Sequence, residues 1–249
     1  MMRIVVGLLL VGFLAACGNQ KIANYSAGNA EVIDDNSSSE LDSLIAPYKA
    51  AMDSQMEELI GKANYNLEKE APESPLGNFA ADVVFEAGLQ YGAKTKDIGP
   101  DAMKKSICLL NFGGLRSTIN KGDLTIGNVY ELMPFDNTLT LVKLSGDQMR
   151  ALAIYIFEAH GQPVSNAWFQ LSSNSQAMKI GGEAYDFKED VIVVTSDYLA
   201  NGGDKMNFFK DPIRKWDSGI LMRDVFIDYI KKEKELGAYP VENRINFVK

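Results

Sequence analysis

Three short stretches, far apart along the chain, hold the residues best suited to chemistry. They are Asn111-Phe112-Gly113-Gly114-Leu115-Arg116, Pro134-Phe135-Asp136-Asn137, and Tyr198 through Asp204, which reads YLANGGD. The double glycines, Gly114 among them, let backbone turn sharply and come close to a ligand. Arg116 is a planar cation that can fork onto phosphate or sugar oxygens. Asn111 and Asn137 each carry a paired donor and acceptor, the equipment needed to read the edge of a base. Phe135 and Tyr198 offer two flat faces for a ring, and Asp204 can accept hydrogen bonds from hydroxyls. Each residue also has a plainer reading. Phe135 and Tyr198 can be packing residues, Asp204 a turn residue and Arg116 a surface ion-pair partner of little energetic weight. Taken jointly, the three stretches contain the parts of a nucleoside site.

Other chemistries are poorly supplied. The only histidine, His160, sits in FEAHGQP where a helix is ending, the usual place of an exposed residue near the last carbonyls. A Ser-His-Asp triad would need it, and no GxSxG accompanies it. One histidine does not make a His-rich metal centre. The two cysteines are Cys17 and Cys108. Cys108, within SICLLN, reads as a small buried apolar residue with no internal disulfide partner in a mature chain. The net charge is −8 and no basic stripe is present, which argues against nucleic acid as a partner. Any anion must be held by local groups against the overall field.

The elements that carry these stretches can be read from the pattern of apolar residues. MMRIVVGLLLVGFLAAC has the n-region, apolar core and small residues of a secretory signal over 1–16. Leu14-Ala15-Ala16-Cys17 reads as a lipobox, with Cys17 the lipidated first residue of the mature protein. A plain secretory signal or a membrane anchor is the alternative, although the apolar run falls short of the ~20 residues a span needs. This predicts a bacterial cell-envelope protein, tethered by lipid and delivered to the outer membrane facing the periplasm. Residues 17–39 are polar and aperiodic, a tether, and 40–249 form one domain. Helical spacing joins Leu41, Leu44, Ile45, Tyr48, Met52, Met56, Leu59 and Ile60, with Pro47 early in the stretch. A second helix carries Phe79, Val83, Val84, Phe85 and Leu89 and stops near Gly92. Strands follow at 106–111 and 138–146, and a helix opens at Gly146-Asp147. WFQLSSN and QAMKIGGEAYDF are strands, the latter a hairpin at Gly181-Gly182. VIVVTS is the last strand, before a closing amphipathic helix in GILMRDVFIDYIKKEKELG. Interleaved helices and hairpin strands give an α+β fold with mixed sheets.

The motifs ESPLGN…AD, NFGGLR, GDLTIGNVYELMPFDNTL, LSGDQM and TSDYLANGGDKM match, in order and spacing, the C-terminal substrate-binding domain of 5′-nucleotidases and UDP-sugar hydrolases. The resemblance covers about residues 40–230. It implies an α/β/β/α four-layer arrangement, with Phe135 and Tyr198 clamping the base. Family members usually carry Phe at the second position. It further implies Arg116 near phosphate or ribose, Asp204 on the ribose hydroxyls, and Asn111 and Asn137 around base and sugar. Departures are Glu68-Lys69-Glu70 where an arginine is expected, Asp136 for a common Gly, and Lys205 after the GGD. Full-length family enzymes add a metallophosphoesterase domain whose two metals activate water. The expectation is therefore a chain with no catalytic or metal-ligating residues and no cofactor of its own. It would bind a nucleoside or nucleotide for a separate, divalent-metal-bearing metallophosphoesterase chain. A nucleoside-scavenging lipoprotein with no enzyme partner, and an interaction protein with a decayed site, are the competing readings.

Overall fold

The computed structural model describes residues 39–248. The expected signal, the tether and Cys17 lie outside the described residues. Residues up to Pro47 and residues from Tyr48 onward form two units. The described part of the first is the opening of helix α1 (Ser39–Met56), in which Pro47 is internal rather than near the start. The helix stops at Met56, short of the expected Ile60. Leu59 and Ile60 instead belong to strand β1 (Leu59–Ala63), where Ile60 and Ala63 are buried and Leu59 exposed.

The second unit continues with α2 (Pro75–Lys94) and α3 (Pro100–Lys104). Ser74 caps α2 by accepting the Gly77 amide, and Pro75 occupies the first turn, where its missing N–H costs nothing. Next come β2 (Ile107–Leu109), β3 (Gly122–Thr125) and α4 (Ile126–Leu132), the last two within a stretch the sequence left unassigned. Then follow β4 (Thr138–Leu144), α5 (Gly146–Glu158), β5 (Val164–Ser165), β6 (Ala167–Leu171), β7 (Gln176–Ile180), β8 (Glu183–Tyr185), β9 (Val191–Ser196) and the single turn α6 (Asp197–Ala200). The chain closes with β10 (Arg214–Leu221), α7 (Met222–Glu233), β11 (Glu235–Leu236) and β12 (Ile245–Phe247). VIVVTS is thus not the last strand. β10 has a mixed, half-exposed edge pattern, and β11 and β12 are too short to show periodicity.

Among the described residues three sheets form, in the orders β11-β1-β3, β10-β4-β9-β2-β5 and β12-β6-β7-β8. The central five-stranded sheet is mixed. β9 runs parallel to β2, while β4 lies antiparallel to β9 and β5 antiparallel to β2. Its inner strands β4, β9 and β2 are buried on both faces. Ile192 and Val194 of β9, with Cys108 of β2 and Leu139 and Leu141 of β4, enter the core shared with α2 and α7. Val191 and Val193, with Ile107, Leu109, Val142 and Leu144, enter the core shared with α5 and the four-stranded sheet. That double burial is why VIVV reads as an unbroken apolar run instead of an alternation. The protein is a mixed α+β structure, as the pattern predicts. The β7–β8 hairpin turns at Gly181 and Gly182, both with positive φ.

The topology gathers the three motif stretches. β2 and β9 are parallel, with Cys108 opposite Val194, so both end at the same edge of the sheet. β4 is antiparallel, with Leu139 opposite Ser196, so it begins at that edge. The segment after β2, the segment before β4 and the segment after β9 therefore meet. The Pro134–Asn137 loop thus precedes its strand, whereas the other two follow theirs.

Candidate functional site

Asn111, Gly113, Gly114, Arg116, Phe135, Asn137, Tyr198 and Asp204 line one cleft of about 320 Å³. All seven side chains or glycines singled out in the sequence are among these eight. The volume lies at the small end of the usual range for ligand pockets, about 300–1,000 Å³. Phe135 and Tyr198 are 48% and 46% exposed, so each keeps a ring face open although its loop is anchored in the sheet. Neither ring is spent on core packing.

Each wall has an identifiable support. Asn111 is the last extended residue before a 3-10 turn over Phe112–Gly114, and its carbonyl accepts the Gly114 amide at 3.1 Å. A Cβ on Gly114 would stand 2.8 Å from Asn111 Oδ1, so any larger residue there would push the Asn111 amide aside. Gln162 Oε1 accepts the Phe112 amide at 2.9 Å. Lys69 Nζ donates to the Leu115 carbonyl at 2.8 Å and to the Phe112 carbonyl at 3.4 Å. Lys69, in the segment where the family resemblance leads one to expect an arginine, thus braces the loop from outside.

Arg116 Nη1 donates to the Gly113 carbonyl at 3.1 Å, and its guanidinium lies 5.9 Å from the centre of the Phe135 ring. Four of its five N–H donors are not committed to Gly113. The Phe135 loop is held by Arg223 from α7. Its Nη2 donates to Asp136 at 2.6 Å and its Nη1 to the Met133 and Pro134 carbonyls at 3.4 and 3.5 Å. Its guanidinium stacks 4.0 Å from the centre of Tyr130. Behind Asn137, its carbonyl accepts the Met222 amide at 2.8 Å.

The third wall is the most tightly bonded. Ser196 caps α6 by accepting the Leu199 amide. Asp197 Oδ1 accepts both the Tyr198 amide at 2.8 Å and the Thr138 amide at 2.9 Å, joining the second and third loops. Gly202 has φ +87° and Asp204 φ +50°, a left-handed turn that reverses the chain onto Tyr198. The Tyr198 ring lies against Gly203, where a Cβ would be 2.5 Å from the ring edge. Tyr198 Oη donates to Asp204 Oδ1 at 2.8 Å and accepts the Asp204 amide at 3.2 Å. Asn111 Nδ2 donates to Asp204 Oδ2 at 2.5 Å, linking the first and third loops. Tyr155 of α5 donates to the Asp204 carbonyl at 3.0 Å. Burial raises the Tyr155 pKa, and the Asp204 charge adds to the rise, so Tyr155 stays a proton donor near neutrality.

Asp197, Tyr155 and Arg223 were not found from sequence. Asp197 had a local signal, an acid directly after a Ser cap. Tyr155 and Arg223 had none, because their partners lie 49 and 87 residues away. His160 is exposed at a left-handed position after α5, as its sequence context predicts, and is not among the cleft-lining residues. Cys108 is fully buried, and burial pushes its thiol pKa well up, which leaves it unreactive. Among the described residues, no group of three or more His, Cys, Asp or Glu is placed to hold a metal ion.

Residues 55–170 match the family described as "5′-nucleotidase, C-terminal domain". The rat 5′-nucleotidase is 29% identical over 203 residues, covering 70% of this chain and 33% of the rat protein. The crystal structure of a 5′-nucleotidase precursor from Thermus thermophilus superposes with a TM-score of 0.66 at 26% identity, covering 84% of this chain and 43% of that one. The Haemophilus influenzae NAD nucleotidase shares the fold, with a TM-score of 0.60 at 18% identity, over 85% of this chain and 42% of that one. The chain therefore spans about a third of the rat protein and under half of either solved structure. In this family the metal-binding domain lies outside the matched region. By sequence over residues 55–170, and by fold over most of its length, the chain is similar to the C-terminal domain of the 5′-nucleotidase family.

Proposed function

We propose that this chain is the nucleoside- or nucleotide-binding half of a split 5′-nucleotidase. It grips base and ribose and presents the phosphate to a separate metallophosphoesterase chain, which supplies the divalent metals and the hydrolytic step. The observation that carries this reading is the convergence of two half-exposed rings, Phe135 and Tyr198, with Arg116, Asn111, Asn137 and Asp204 on one cleft.

In this reading the base stacks between Phe135 and Tyr198, each contact worth about 1–3 kcal/mol. Asn111 and Asn137 supply polar groups around base and sugar. Asp204 accepts the ribose hydroxyls through the lone pairs not used by Tyr198 and Asn111. Arg116 turns from Gly113 toward the phosphate, and its fork orients the ester. Stacking, sugar and phosphate contacts together can reach about −8 kcal/mol, micromolar affinity. Attachment through lipid on Cys17, on the periplasmic side of an outer membrane, would hold the cleft beside an envelope-resident partner.

Calorimetric titration with AMP, adenosine and UDP-glucose tests the reading, with Phe135→Ala and Tyr198→Ala as controls. Micromolar binding that falls by about tenfold or more in either variant is expected. No binding tighter than millimolar, or undiminished affinity in both variants, would refute it. Phosphate release on mixing the chain with a metallophosphoesterase chain separates the split-enzyme reading from that of a nucleoside-scavenging lipoprotein.

A further inference from the structure

The FEAHGQP stretch ends on Gln162-Pro163, two residues beyond the exposed histidine. His160 and Gly161 both have positive φ, +55° and +103°, so the chain reverses as it leaves α5. The Gly161 amide donates to the Ile156 carbonyl at 2.9 Å. A Cβ on Gly161 would stand 2.4 Å from the Cα and carbonyl oxygen of Pro72, so glycine lets this turn sit against that backbone. On the other side, the Pro163 carbonyl accepts the Leu110 amide at 2.9 Å. Gln162 is therefore flanked by two fixed residues, beside the segment that follows β2.

The two ends of the Gln162 side chain serve different loops. Oε1 accepts the Phe112 amide at 2.9 Å, in the first loop. With the oxygen committed there, the NH₂ end is left to donate. The Gln162 side chain hydrogen-bonds the Tyr155 hydroxyl and, as a donor does, works against the rise in the Tyr155 pKa. Tyr155 Oη donates in turn to the Asp204 carbonyl at 3.0 Å, in the third loop. These bonds join the same two loops that Asn111 Nδ2 and Asp204 Oδ2 join at 2.5 Å. The Asn111–Asp204 tie is made of side chains that line the cleft. The other tie uses loop backbone together with Gln162 and Tyr155, neither of which lines the cleft. A ligand that bonds to Asn111 or Asp204 competes with the first tie and leaves the second untouched.

We infer that Gln162, acting through Tyr155, is a positioning residue that keeps the Asn111 loop and the Asp204 turn at their spacing while a ligand engages the cleft. The inference rests on the nucleoside-binding reading and adds to it the pair of residues that organises the site from behind. The Asn111 and Asp204 side chains can exchange their mutual bond for bonds to the ligand, and the two walls stay in place. Walls ordered before binding lose less freedom on binding, which raises affinity.

The test is a double-mutant cycle, read by calorimetric titration of adenosine into the full chain, Gln162→Met, Tyr155→Phe and the double variant. Met keeps the reach of the side chain and loses both polar ends, and Phe keeps the ring and loses the hydroxyl. Each single variant is expected to weaken adenosine binding by about three- to tenfold. The double variant is expected to lose no more than the weaker-binding single variant, because either change opens the same bridge. Only variants with a cooperative thermal melt are compared. If Gln162→Met lacks one, Gln162→Glu takes its place in the cycle with the same expectation. It keeps an acceptor for the Phe112 amide and turns the end facing Tyr155 from donor to acceptor. Losses that add in the double variant, or unchanged affinity in either single variant, overturn the inference while nucleoside binding by the unaltered chain stands. Failure of the unaltered chain to bind adenosine overturns both.

Discussion

The carboxylate of Asp197 accepts the amide of Thr138 at 2.9 Å, across 59 residues of sequence. The same oxygen accepts the amide of Tyr198 at 2.8 Å. One atom thus ties the start of β4, next to Asn137, to the turn that presents Tyr198. This junction links the segments that carry the cleft's two aromatic residues. Asp197→Ala removes both charge-assisted bonds, and the loss of the one that crosses to Thr138 is expected to weaken nucleoside binding by about tenfold. Asp197→Asn keeps an oxygen acceptor and should restore most of the affinity. Equal losses in the two variants would show that the charge, rather than the junction, matters.

Gly203 lies under the Tyr198 ring, and an added Cβ would come within 2.5 Å of it. Gly203→Ala should tilt the ring and break its bond to Asp204, lowering nucleoside affinity by about tenfold. Because the ring is half-exposed, the melting temperature should move little. Titration and a thermal scan on the same sample decide it. A large fall in melting temperature with affinity retained would contradict the assignment.

Arg223 is buried, while its partner Asp136 is 80% exposed at the side chain. Removing the arginine therefore leaves an acid that water can solvate, and the main losses are the stack on Tyr130 and the bonds to the Phe135 loop. Arg223→Met is expected to cost about 1–3 kcal/mol by urea denaturation. Because the Phe135 loop loses its anchor, nucleoside affinity should fall with it. Unchanged affinity would remove Arg223 from the positioning of Phe135.

Arg244 is buried beside β5 and makes two 2.8 Å bonds to Asp82 of α2, with further bonds to the Val164 carbonyl and Glu242. The Arg244 amide and the Glu242 amide both donate to Glu73. This network fastens the C-terminal segment ahead of β12. Asp82→Ala leaves the buried guanidinium short of its bidentate partner and should cost about 3 kcal/mol in urea denaturation. A cost under about 0.5 kcal/mol, the usual size at ordinary surface sites, would show that the segment does not depend on the pair.

Alkaline pH should destabilise the protein through its tyrosines. Burial, the larger cause, and neighbouring acids push Tyr185 up to about 12, and Tyr239 is raised further by burial and by its bond to Tyr229. Unfolded tyrosines lose their protons near pH 10, while these folded ones keep theirs. Above pH 10 the unfolded state then binds fewer protons, so stability falls with rising pH. The contribution is complete below pH 10 and, for Tyr185, is lost by about pH 12. Thermal melts between pH 9 and 12 should show the decline, and Tyr239→Phe should reduce its slope. A flat profile would be inconsistent with these half-buried phenols.

What the sequence determined by itself was composition of the site and class of the fold. The apolar run of β9, the glycine-paired turns, the isolated aromatics and Asp204 were legible because each signal is local. A strand buried on both faces has no polar alternation, and a left-handed turn favours glycine, as at Gly181, Gly182 and Gly202. The end of α1 was misplaced and β1 missed because Leu59 and Ile60 continue a helical spacing by coincidence. Only pairing with β3 and β11 draws them into a sheet. β10, β11 and β12 were missed because edge and two- or three-residue strands are held by neighbours and carry no period of their own. The tertiary structure alone decided that the loop before β4 meets the loops after β2 and β9, since strand direction is set by pairing. It also decided that Asp197, Tyr155 and Arg223 serve the cleft, because a hydrogen bond across tens of residues leaves no mark on the sequence near either partner.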